Sequence, residues 1–170
     1  MTKFLLSVHV LAAILAVGSI TVAASMFPRY ALRALGGAGG GEGEGEGAGE
    51  PSGDRAAGIA ALLHRVCRAY AVAGVAVPVF GIATAVQLGV LTDAWLIASL
   101  ILTTIAAGLL ALVILPRQEA LLDRAADPSD RADGARRATA RLAMLTGIFN
   151  VLWATVTVLM IVRPGSTTGA

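Results

Sequence analysis

The sequence predicts an all-α membrane protein: four transmembrane helices in an up-down bundle, with both termini outside. Three observations carry that prediction. Four apolar runs, over residues 4–26, 69–91, 94–115 and 140–162, are each about 22 residues long, and a helix needs about 20 apolar residues to cross the hydrocarbon core. Hydrophobic residues make up 56% of the chain and charged residues only 14%, where a soluble domain carries about 25% charged. Of the 13 basic residues, all but Lys3 and Arg163 lie in or beside the loops joining spans one to two and three to four. The excess of basic residues in short loops places those loops in the cytoplasm. Both termini and the turn at residues 91–94 then face outward. The spans and loops use the whole of residues 1–170, which read as a single four-span membrane domain. The net charge of +2 gives no footing for nucleic acid, so the first partner is the lipid bilayer.

Span one, residues 4–26, begins after Lys3. Val22-Ala23-Ala24 resembles a small-residue cleavage site. The apolar run is nevertheless longer than the 7–15 residues of a signal-peptide core, and Arg29 and Arg33 follow it closely. It therefore reads as a retained span. His9 sits in its outer part. A polar ring inside a membrane must find partners, and an intramembrane ionisable residue is a functional candidate. Two readings stay open for His9: a histidine bonded to another helix, or a haem or metal ligand or proton-responsive anchor.

Residues 36–53 form a tract of Gly with Glu42, Glu44, Glu46 and Glu50. Such a chain has high backbone entropy and little to bury, so it is expected to be a flexible cytoplasmic loop.

In span two, residues 69–91, Pro78 is flanked by Gly74 and Gly81 and should kink the helix. A kink frees backbone carbonyls that can line a cavity. Gln87 lies near the outer end, at a depth similar to His9. At the cytoplasmic start His64 and Cys67 are three residues apart and share a helical face. Two ligands alone do not make a metal site, and Cys67, the sole cysteine, reads as a packing residue. His9 and His64 fall near opposite membrane faces, so they cannot ligate one haem iron together.

Asp93 marks the tight outer turn, and Trp95 falls at the outer interface, where an amphipathic ring is favoured. Lipid gives helices no hydrophobic reason to associate, so small residues are expected to mark the interior. Candidates are Ser99, Thr103, Ala107 and Ala111 in span three, Ala12, Ala16, Gly18 and Ser19 in span one, and Ala143 and Gly147 in span four. Residues 118–126 have helical composition and should extend span three until Asp127-Pro128-Ser129-Asp130 breaks it. Asp127/Arg131 and Asp133/Arg137 have i,i+4 spacing, giving solvated pairs. Phe27-Pro28-Arg29 and Leu115-Pro116-Arg117 form a faint two-fold repeat at the cytoplasmic ends of spans one and three. Asn150, with Thr146 one turn before it, lies near the middle of span four. An interhelical hydrogen bond there is worth about 1 kcal/mol.

The run Phe4-Leu5-Leu6-Ser7-Val8-His9-Val10-Leu11-Ala12-Ala13 with Gly18, the segment Ala94-Trp95-Leu96-Ile97-Ala98-Ser99, and the closing Leu159-Met160-Ile161-Val162-Arg163-Pro164 resemble the predicted integral membrane proteins of domain-of-unknown-function family 2269. The resemblance covers nearly the whole chain through short apolar motifs. It departs at Val17, where the family has an aromatic residue, and at the Gly/Glu tract, an insertion. It implies a membrane location and no particular activity.

No catalytic constellation is visible, so the chain is expected not to be an enzyme and to need no cofactor. The leading reading is a non-enzymatic accessory or small-molecule-handling component, acting as a homo-oligomer or with a membrane protein partner. Alternatives are a haem- or metal-binding protein using His9, and a small transporter subunit built around the Pro78 kink. Against the last, no span holds Asp, Glu or Lys away from its ends, where a coupled transporter keeps an ionisable relay. Twelve arginines to one lysine, with abundant Ala and Gly, point to a GC-rich bacterial genome, so the expected location is the bacterial plasma membrane.

Overall fold

The computed structural model describes residues 2–36, 53–126 and 134–164. Most of the Gly/Glu tract, the Asp127–Asp130 break and the Asp127/Arg131 and Asp133/Arg137 pairs lie outside the described residues. The described residues form six α-helices and one π-helical turn: α1 (Thr2–Ala34), α2 (Gly53–Ala73), α3 (Ala76–Leu88), α4 (Ala94–Leu109), a π turn (Leu110–Ile114), α5 (Leu115–Ala126) and α6 (Ala135–Val162). They form four rods long and apolar enough to cross a membrane: Lys3–Ala34, Gly53–Leu88, Ala94–Ala126 and Ala135–Val162. The architecture is an all-α, up-down four-helix bundle, that of a multi-pass membrane protein.

The outward faces are apolar. Leu112 is 78% exposed, Ile161 75% and Val72 73%. Apolar surface this extensive is matched by lipid and not by water.

All four rods run past the apolar spans at the arginine-rich end. Pro28 lies inside α1, which continues to Ala34. The second rod begins at Gly53, well before the apolar run at residue 69. The extensions are amphipathic, with Ala56, Ala60, His64 and Cys67 buried on α2 and Gln118, Leu121 and Ala125 on α5, the stripe of a core-facing helix. They pack with Phe27, Ala31, Ala34, Leu35 and Ala135 into the main core.

The first two rods pack antiparallel along a seam of small residues. His9 lies against Gly81 and Ala16 against Gly74, while Ala23 and Ala24 cluster with Cys67. His9, Ala16 and Ala23 step by seven residues along α1, as Gly81, Gly74 and Cys67 do along the second rod. That is the heptad spacing of a left-handed helix pair.

Each interruption has a proline as its cause. The second rod breaks between Ala73 and Ala76, one turn before Pro78. Proline offers no N–H and crowds the carbonyl four residues back, here that of Gly74. The Gly74 carbonyl instead accepts from the Val77 N–H at 3.1 Å. In the third rod the π turn precedes Pro116, and the Leu115 N–H donates to the Leu110 carbonyl five residues back. The widened turn relieves the same crowding.

The small-residue expectation holds in part. Ser99 is fully buried and Ala16 is buried. Ala107, Ala111, Ala143, Gly147 and Gly18 face outward. The buried stripe is instead Ser99, Ala106, Leu110 and Ile114 on the third rod, and Leu142, Thr146, Phe149 and Val156 on α6. In a uniformly apolar helix, small size alone does not choose the inward face. Large side chains such as Phe149 fill the space between rods.

The α3–α4 turn is closed by a Schellman motif. Gly89 adopts φ 69°, and the Val90 N–H reaches the Ala85 carbonyl at 3.2 Å. Trp95, expected at the interface, is only 6% exposed. Its Nε1 donates to Asp93 Oδ2 at 3.0 Å, and the Arg163 guanidinium stacks 5.6 Å from its ring centre. The ring thus ties the end of α6 to the start of α4.

Candidate functional site

His9 and Pro78 are brought together. The His9 Nδ1 lies 2.8 Å from the Val77 carbonyl, so that nitrogen donates the proton to the residue next to the proline. The ring lies against Gly81: a Cβ there would sit 2.9 Å from Cε1, closer than real contacts allow. Glycine at 81 is what lets the imidazole approach the backbone. With Nδ1 committed, Nε2 is the nitrogen left to accept. Gln87 lies further along α3 with an exposed side chain.

Asn150 is remote from that pair. Its Nδ2 donates to Ser25 Oγ on α1 at 3.3 Å. Ser25 is 16 residues from His9 along one helix, about 24 Å at 1.5 Å per residue. The two polar positions cannot share a ligand. Asn150 joins α6 to α1. Its Oδ1 and the Trp153 Nε1, one turn on, are buried without a hydrogen-bond partner among the described residues. Thr146 bonds its own helix, donating to the Leu142 carbonyl at 3.0 Å.

A buried polar cluster lies at the arginine-rich end. Gln118 is fully buried. Its Oε1 accepts from His64 Nδ1 at 3.1 Å, and its Nε2 faces Cys67 Sγ at 3.8 Å. One amide thus satisfies both side chains that sequence spacing placed on one face. Among the described residues no three His, Cys, Asp or Glu side chains come together as metal ligands. The cluster is a polar latch between α2 and α5. Sequence reading did not find Gln118, because nothing in residues 118–126 marks which polar side chain turns inward. The available signal was the amphipathic spacing of Gln118, Leu121 and Ala125.

Beside this latch, α2 and α5 part to form an open cleft of about 630 Å³. His64, Arg65 and Arg68 line one wall and Glu119 and Asp123 the other, with Val72 and Leu122 apolar. With Nδ1 held by Gln118 Oε1, Nε2 is the His64 nitrogen left to accept. Cationic, anionic and apolar groups therefore meet in one space. No family model, curated protein or solved structure matches this chain.

Proposed function

We propose that the chain is a non-enzymatic, small-molecule-handling component of the bacterial plasma membrane, with its arginine-rich end in the cytoplasm. The four rods long and apolar enough to cross a membrane, and the bias of basic residues to one end, support the setting. One observation carries the reading: the cleft between α2 and α5, with charges of both signs beside apolar Val72 and Leu122. Such walls suit a small zwitterionic or amphiphilic solute, since each charge meets its opposite and the apolar part lies along Val72 and Leu122. The test is thermal stability of the detergent-purified protein across a library of such solutes, beside Ala69→Trp, which plugs the cleft without removing a charge. Stabilising solutes should lose at least about tenfold in affinity in the plugged variant. No stabilisation anywhere in the library, or hits indifferent to the plug, removes the proposal.

A second reading keeps His9 as a haem or metal ligand. It is favoured by the Nδ1 bond to the Val77 carbonyl, the kind of second contact that orients ligating histidines. A visible spectrum and metal analysis, with His9→Ala alongside, decide it. A Soret band or stoichiometric metal lost in the variant establishes a cofactor; colourless, metal-free protein in both leaves His9 structural.

A further inference from the structure

A second groove lies at the arginine-rich end, between α5 and α6, with a volume of about 180 Å³. Arg117 and Arg124 from α5 and Arg141 from α6 line it, over a floor of Ala120, Leu121 and Ala138. It is separate from the cleft between α2 and α5 and shares no residue with it. We propose that this groove binds the phosphate of an anionic phospholipid headgroup.

Three features converge. First, the lining is of one sign. Among the described residues no carboxylate borders the groove, and none pairs with these guanidiniums. Three permanently charged groups facing one space repel one another, and a shared anion reverses that. Guanidinium forks also match phosphate oxygens in pairs.

Second, the groove sits at the right height. Arg117 follows the apolar run 94–115 and Pro116, and Arg141 stands at the very start of the apolar run 140–162. The two residues border the same edge of the hydrocarbon layer, where lipid phosphates lie. Arg124 is two turns beyond Arg117, about 10 Å, so the set spans the depth of a headgroup layer.

Third, the floor is shaped for approach. Ala120 and Ala138 are small, and Leu121 is buried at 3% exposure. An oxyanion can settle between the helices instead of touching only arginine tips. Basic grooves between helices at a membrane face are the usual seat of anionic headgroups.

The same chemistry could come from free phosphate, so the experiment separates the sources. The full chain, purified in detergent, is titrated with phosphatidylglycerol, with phosphatidylcholine and with inorganic phosphate. Thermal stability and native mass spectrometry read binding. Three proteins are compared: wild type, the triple variant Arg117→Gln/Arg124→Gln/Arg141→Gln, and the double variant Arg136→Gln/Arg137→Gln, which alters arginines of α6 outside the groove. The expected result is saturable stabilisation by phosphatidylglycerol alone, weakened about 100-fold in the triple variant and retained in the double variant. Equal response to both lipids, or loss of response in the double variant to the same degree, overturns the site. Full stabilisation by inorganic phosphate overturns the lipid assignment. Should the triple variant not fold, Arg→Lys at the same three positions replaces it. Unchanged affinity there overturns the proposal, because a point charge cannot copy the paired contacts of a guanidinium.

Discussion

The two ends of the bundle are built differently. At the arginine-rich end the rods extend past the apolar spans, and Phe27, Ala31, Ala34, Leu35, Ala56, Ala60, Leu121, Ala125 and Ala135 belong to one core cluster. At the other end a cluster of Ala85, Trp95 and Leu96 is closed by the polar stack of Asp93, Trp95 and Arg163. The difference follows the solvent. Where helices leave the hydrocarbon layer, water drives apolar faces together. The extensions therefore pack as a small soluble bundle. Within lipid that drive is absent, and close approach, hydrogen bonds and aromatic contacts hold the rods.

The contrast can be broken by substitution, in falling order of effect. Phe27→Ala, at a fully buried site of the larger core, should destabilise by about 3–5 kcal/mol, read as a lowered melting point in detergent. A change below about 1 kcal/mol would mean that this end is not packed by water. Gln118→Leu should follow, at about 1–3 kcal/mol, because His64 Nδ1 loses its buried partner. The companion His64→Ala/Gln118→Leu should recover part of the loss. Gly81→Ala should displace the His9 ring and break its bond to Val77, at about 1–2 kcal/mol. Combined with His9→Ala, the alanine at 81 should become nearly neutral. Additive losses would show that the ring does not rest on Gly81. Smallest is Arg163→Ala, which removes the stack on Trp95, about 0.5–1 kcal/mol. Arg163 holds φ 45°, so Arg163→Gly should be milder than Arg163→Ala, since glycine adopts a left-handed backbone freely.

The four rods were legible in the sequence because length and hydropathy alone decide them. The packing faces were not. Ala107 and Ala111 continue a four-residue spacing from Ser99, yet they face outward. Ala143 and Gly147 do the same, while Leu142, Thr146 and Phe149 turn inward. A helix apolar all round carries no hydropathy stripe, so the inward side is chosen by the shapes of its neighbours. His9 and the region of Pro78 were each visible as single positions, and their meeting depended on the register of α1 against α3. The extensions could have been read: Ala56, Ala60, His64 and Cys67 repeat at helical spacing among Arg55, Arg65 and Arg68. Arg117 and Arg141 were visible only as topology markers, since no local pattern says that two residues 24 positions apart on separate helices will lie across one groove.

The π turn at Leu110–Ile114 gives the third rod slack. A residue removed from an α-helix swings everything beyond it by about 100°. A π turn already holds one residue too many, so removing one there restores the ordinary winding and leaves the far segment facing as before. Leu112, the most exposed large apolar side chain of that turn, is the residue to delete, together with Pro116→Ala so that the tighter turn meets no ring. The shortened chain should keep Gln118 between His64 and Cys67, and Arg117 beside Arg141, whereas deleting Ile101 from α4 should unseat Trp95. The chain can therefore lose a residue at this one place and remain the same machine, a tolerance in length that a continuous α-helical rod does not have.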